Sequence, residues 1–245
     1  MAGASVTSVL HRREGDRPMR VVPASTLNER LDAPGGRPAF PVAEPLALLL
    51  PGGGLRRGSV VAVHGSTALL LALLASATGQ GAWAAVVGID DLGMLAAAEA
   101  GVAVRRLALV PRPGPDPVLV VAALLDGVSL VALAGAERMP AGARRSLVAK
   151  ARQRGSVLLS LDRWPGADVE LNCRAEAWRG AEAGYGRLHS REVVVRAVGR
   201  GAAARPRTVR LLLPGPGGAV ALADPTPLMS AVGAISAVRT IRAVG

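Results

Sequence analysis

The 245-residue sequence is poor in aromatic side chains: three tryptophans, one tyrosine and one phenylalanine, 2% of the chain. Its core must therefore be built from Ala, Val and Leu, and a nucleic-acid site cannot rest on a platform of stacked rings. A single cysteine, Cys173, excludes a disulfide scaffold and a cysteine-based zinc site and points to a reducing interior. His11, His64 and His189 are scattered, with no carboxylate or second histidine at helical spacing, so no metal site is visible. No nucleophile elbow or cysteine–histidine signature appears either. Long apolar runs are missing. The densest, Ala68 to Ala75, falls far short of the roughly 20 residues a membrane span needs. The opening residues lack an apolar signal region, so no secretory signal is expected and the expected location is cytoplasmic. Lysine is nearly absent, Lys150 being the sole one.

What is present is a globular composition, 50% hydrophobic and only 19% charged, with ample material for a core. Lys+Arg 29 against Asp+Glu 18 gives 29 − 18 = +11, a charge that attracts polyanions. The Arg-rich bias has a second reading as the product of a GC-rich coding sequence, and composition does not choose between them.

Along the chain, residues 1–45 carry six prolines and little periodicity and read as a loose N-terminal arm with a short helix at Ala24–Leu31. Residues 46–223 form the core domain. A tail, 224–245, follows, with Val232, Ile235, Val238 and Ile241 spaced to line one side of a helix. In the body, strands at Ser59–His64, Ala82–Ile89, Leu107–Val110, Ser129–Ala134 and Ser156–Leu161 alternate with helices at Thr67–Ala77, Leu92–Ala100, Pro117–Leu125 and Ala141–Arg154. The strands are apolar throughout, which predicts a parallel sheet with helices on both faces. After Trp164 the pattern alternates apolar with polar residues at Val169–Trp178, Arg191–Ala197 and Thr208–Leu213, an antiparallel extension joined by turns at Gly180–Gly186 and Gly199–Pro206. The fold class is α/β, a mostly parallel core sheet with an antiparallel C-terminal extension.

A first strand followed by glycine and a helix is the setting for a nucleotide phosphate loop. Such a loop needs several glycines to converge N–H groups on phosphate, a lysine for the outer phosphate and a hydroxyl for magnesium. The junction reads Val63-His64-Gly65-Ser66-Thr67, with one glycine and no lysine, and the fourth strand ends in Ala134-Gly135 rather than a metal-binding aspartate. Gly65, Ser66 and Thr67 thus form a degenerate loop. The expectation is no cofactor, no metal and no catalysis, with Ser66 or Thr67 capping the next helix. Asp90 and Asp91 read either as a remnant general-base pair or as N-cap groups for the helix from Leu92.

The segment from Leu50-Pro51-Gly52-Gly53-Gly54-Leu55 through Gly58 to Gly65 resembles the lead-in to the phosphate loop of RecA-family recombinases. Asp90-Asp91 falls where that family continues into its catalytic carboxylate, and Arg191 to Pro206 with Thr208–Leu213 is similar to the two strands that close its core. The resemblance spans roughly Leu46 to Val220. Several departures go with it. The loop lysine and metal aspartate are missing, Arg163 sits near the nucleotide-sensing glutamine, and the two DNA loops are cut to Gly135–Gly142 and Asp162–Asp168. The chain looks like a degenerate RecA-like protein of the actinobacterial mutasome, the ImuA type. That resemblance implies a non-catalytic scaffold in damage-induced (SOS) mutagenic translesion synthesis. Its implied partners are a Y-family polymerase-like protein (ImuB type) and an error-prone C-family polymerase, with DNA as a further contact near the nucleoid. Two alternatives stand beside it: a divergent RecA-type ATPase using Asp90 or Asp91, and a sequence-independent DNA-binding module.

Candidate contact residues for DNA or a partner are Arg144, Arg145, Lys150, Arg152 and Arg154 on the helix Ala141–Arg154, whose Leu147, Val148 and Ala151 can face the sheet. Arg205, Arg207 and Arg210 form a second basic group near the last hairpin. Both also read as solvated faces of an Arg-rich protein. Trp164 suits either an interface or the core, and the tail stripe suits either a partner's groove or the parent sheet.

Overall fold

The computed structural model describes residues 39–182 and 185–223. The Ala24–Leu31 helix and the stripe Val232, Ile235, Val238 and Ile241 lie outside them. A short antiparallel pair, β1 (Ala39–Pro41) and β2 (Gly54–Arg56), flanks helix α1 (Glu44–Ala47). Pro45 stands in the first turn of α1, where its missing N–H costs nothing. This entry segment is anchored by Phe40, Leu46, Leu49 and Leu50, each at most 2% exposed.

The main sheet has nine strands: β3 (Val60–His64), β4 (Ala84–Val87), β5 (Leu107–Val110), β6 (Leu130–Leu133), β7 (Val157–Ser160), β8 (Val169–Glu182), β9 (Tyr185–Gly199), β10 (Arg207–Leu212) and β11 (Ala221–Leu222). Their spatial order is β11-β10-β9-β8-β3-β7-β6-β4-β5. From β8 to β5 every pairing is parallel; from β8 to β11 every pairing is antiparallel. The expected α/β architecture, a mostly parallel core sheet with an antiparallel C-terminal extension, is the one observed. Four helices connect the parallel strands: α2 (Thr67–Gly79), α3 (Met94–Glu99), α4 (Pro117–Leu125) and α5 (Ala141–Arg154).

Side chains of a strand alternate between faces, and the core divides accordingly. Val61, Val63, Ala84, Val86, Ala132 and Leu159 join α2 on one side. Val60, Ala62, Val87, Val131, Leu133 and Leu158 join α4, α5 and Trp164 on the other. Leu69, Leu70, Leu71, Leu73 and Leu74 of α2 are all buried, each contributing about 2 kcal/mol by removal from water. With one phenylalanine in the chain, this leucine-rich helix does the filling that aromatic rings do elsewhere. Trp164 is core too, at 2% exposure.

Two details differ from the sequence expectation. The helix expected at Leu92–Ala100 is only Met94–Glu99, with Gly93 at its N-cap and no side-chain cap bond, so Asp90 and Asp91 do not cap it. Both are exposed; Asp90 instead lies 3.8 Å from Arg112. The turn expected over Gly180–Gly186 is mostly strand: β8 and β9 continue as a paired ribbon past the ends of their neighbours. Polar residues on both faces hide such a ribbon from a search for one buried face. Among the described residues no helix is long and apolar enough to cross a membrane.

Candidate functional site

The junction between β3 and α2 lies at the C-terminal end of the first parallel strand, where open α/β sheets bind their ligands. The chain turns there in two residues. Gly65 adopts φ +82°, and a Cβ at this position would collide with the Cys173 carbonyl oxygen on β8. The loop is therefore pressed onto the neighbouring strand. Ser66 is extended and caps α2, its Oγ accepting from the Leu69 N–H at 3.2 Å. The same Oγ accepts from Arg191 Nη2 at 3.2 Å. Arg191 reaches it from β9, across β8, while its Nε donates to the Leu213 carbonyl at 3.1 Å and its guanidinium lies 5.4 Å over the Trp178 ring. Burial pushes the Cys173 thiol up from its ordinary pKa, opposed by the Ser66 hydroxyl and the Arg191 charge.

Hydrogen bonds also tie together the C-terminal ends of β4, β6 and β7. The Ala134 N–H donates to Val87 at 2.9 Å, and the Ala136 N–H donates to Asp162 Oδ2 at 2.7 Å. That second bond ties together the two shortened loops after β6 and β7. Arg163 is exposed beside it. Among the described residues, no cluster of His, Cys, Asp or Glu could hold a metal ion.

The basic candidates fall into two groups. Lys150 and Arg154 hold Asp126, the C-cap residue of α4, at 2.8 and 3.0 Å, and these bonds and charges lower the Asp126 pKa. Arg210 lies 3.5 Å from Glu176 and 3.7 Å from Glu192, a buried carboxylate that Arg179 also meets at 2.7 Å. Arg145, Arg152 and Arg205 are exposed, Arg207 is half-buried, and half-buried Arg144 donates to the Ala136 carbonyl at 3.4 Å.

A cavity of about 610 Å³ opens at the opposite, N-terminal end of β3. Leu50, Leu55, Val61, Val169 and Ala203 line it with aliphatic carbon; Arg56, Arg152, Arg200 and Asp168 supply its charge. Asp168 binds Arg56 at 3.1 Å and accepts from the Val60 N–H at 2.9 Å. A second cavity, of about 500 Å³, runs between α5 and the segment Trp164-Pro165-Gly166. Arg56, Asp168 and Arg191 escape sequence reasoning because each finds its partners only when β8 and β9 are laid beside β3, and Arg200, which donates to the Gly166 carbonyl, because β9 returns beside the start of β8. No local spacing marks them.

Residues 48–166 match the family model described as the MT3502 N-terminal domain. The chain is 45% identical over 130 residues to the uncharacterized protein Rv3395c of Mycobacterium tuberculosis (strain ATCC 25618 / H37Rv), a match spanning 51% of this chain and 64% of that relative's length. The crystal structure of the RadB recombinase superposes with a TM-score of 0.51 at 14% identity, covering 70% of this chain and 93% of RadB. The strand order, together with this superposition, identifies the fold as RecA-like.

Proposed function

We propose that the chain is a RecA-like accessory protein without ATPase chemistry, acting as a scaffold in damage-induced mutagenic translesion synthesis. On this reading it links a Y-family polymerase-like protein (ImuB type) to an error-prone C-family polymerase, in the cytoplasm near the nucleoid. The observation that carries the loss of ATPase chemistry is the Ser66 hydroxyl. In a working loop that oxygen serves magnesium; here it accepts from Leu69 and from the Arg191 guanidinium. The chain's only lysine, Lys150, is held by Asp126 on another helix. A triphosphate would have to displace Arg191 and would meet no lysine at the loop. The translesion role rests on the mutasome resemblance alone, and the RecA-like fold is compatible with it.

Titration calorimetry with ATP and magnesium tests the first half, and no saturable heat is expected. Micromolar affinity that vanishes in Ser66→Ala/Thr67→Ala overturns it. A pull-down with a purified Y-family polymerase-like protein tests the second half: the full chain is expected to retain it, and the scaffold role falls if it does not.

A further inference from the structure

The two cavities are adjoining parts of one concave surface, because Arg152 and Arg200 line both. Five arginines border it: Arg56, Arg144, Arg145, Arg152 and Arg200. Among the described residues Asp168 is the one carboxylate in the lining, already committed to Arg56 and the Val60 N–H. Five cations against one anion, 5 − 1 = +4, leave a strongly positive concavity. Field lines concentrate in such a cleft and draw in anions.

Charge alone does not choose the anion; the floor does. Leu50 and Leu55 are at most 2% exposed beneath the larger cavity, with Val169 and Ala203 beside them. A single nucleic-acid strand meets cations through phosphate and stacks its bases on ring faces, but among the described residues Trp164 is the one aromatic ring in either lining and none borders the larger cavity. A phosphodiester backbone would leave the aliphatic cavity empty. A peptide carrying acidic residues next to a large apolar side chain satisfies both parts.

The spacing agrees. Arg145 and Arg152 stand seven residues apart on α5, about 10 Å along a helix at 1.5 Å per residue. Carboxylates two or four residues apart on an extended peptide share one face and stand about 7 or about 13 Å apart, which brackets that span.

We propose that this surface docks a short acidic segment of a partner protein. Its carboxylates would bind Arg145, Arg152 and Arg200, and one bulky apolar side chain would enter the cavity between Leu55 and Ala203. The site is at the far end of β3 from the Gly65 loop and does not depend on whether that loop takes nucleotide.

The test pans a random phage-displayed peptide library against the full chain, then measures an enriched peptide by fluorescence anisotropy. The expected consensus has Asp or Glu within three residues of Leu, Ile or Phe. Arg145→Gln and Arg152→Gln should each weaken binding about tenfold with Tm unchanged, and affinity should fall with salt. Replacing the peptide's apolar anchor with Ala should weaken binding while leaving the salt dependence. The proposal is overturned by a consensus without acidic residues, or by affinities the variants leave unchanged. It is equally overturned if oligothymidylate binds more tightly than the peptide and loses affinity in the same variants, which would make the surface a nucleic-acid site.

Discussion

The two ends of β3, a strand of five residues, have opposite character. At and beside its C-terminal end Ser66 serves a helix cap and an arginine, Asp162 after β7 accepts from the Ala136 N–H, and Gly65 is pressed against β8. At its N-terminal end arginines surround an open aliphatic cavity. In a fold whose ligands are expected at the C-terminal edge, the room for one lies at the other edge. The same division runs through α5, where Lys150 and Arg154 are tied to Asp126 while Arg145 and Arg152 line the second cavity.

The sharpest way to break this contrast is to insert a methyl group at each end. Gly65 and Gly201 both have positive φ, +82° and +58°. Around Gly201 nothing lies within 4 Å, whereas at Gly65 the Cys173 carbonyl blocks the new carbon. Gly65→Ala should cost about 3 kcal/mol, combining left-handed backbone with overpacking. Gly201→Ala should cost about 1 kcal/mol, the backbone part alone. Urea unfolding measures both, and equal losses would mean the loop is not pressed against β8.

The next largest effect concerns Glu192, buried at 2% exposure and served by Arg179 and Arg210. Removing both arginines strands a carboxylate, and Arg179→Ala/Arg210→Ala should cost about 2 kcal/mol, less than a fully interior pair because both arginines are half exposed. Adding Glu192→Gln to that double variant should recover part of the loss. If it does not, the ribbon's cations hold the fold by packing and not by charge.

Ser66→Ala removes one capping bond and one partner of Arg191, and should cost about 1 kcal/mol in thermal unfolding. Arg152→Gln, at the open end, should stay within about 0.5 kcal/mol of the parent. A Ser66→Ala chain as stable as the parent would show that the junction is held by its backbone alone.

How far the sequence anticipates this arrangement follows from the range of the interactions. β5, α4 and α5 have the bounds read from their apolar runs and glycine or proline punctuation, because those signals are local. The strands β1 and β2 are hidden among prolines and glycines, and their pairing is set by Phe40 packing into the core. The ribbon formed by β8 and β9 outruns the expected strands because it buries no continuous face. At the site, the sequence shows that no lysine stands among Gly65, Ser66 and Thr67 and that Ala134 ends the fourth core strand. The arginine that takes the place above Ser66 is not visible there, since Arg191 and Ser66 are 125 positions apart. Arg56 and Asp168, 112 apart, are hidden in the same way.

The smallest expected effect, and the one that separates the two faces of α5, is the pH response of Asp126. Its carboxylate pKa is lowered from 3.8, first by the Lys150 hydrogen bond; desolvation opposes this, and the Lys150 charge and Arg154 add to the lowering. A carboxylate with a lowered folded-state pKa adds stability above its unfolded value, and that stability is lost as pH falls through the folded-state value. Asp126→Asn should therefore lower Tm slightly at neutral pH, and the gap from the parent should close as pH drops below 3.8. An exposed pair contributes little, and salt screens it further, so the gap should also shrink as ionic strength rises. Arg152→Gln, on the opposite face, should show no such pH-dependent gap in the acid range. If it did, Arg152 would be paired with a carboxylate in the folded chain, and the face turned toward the cavity would be no more open than the one turned toward α4.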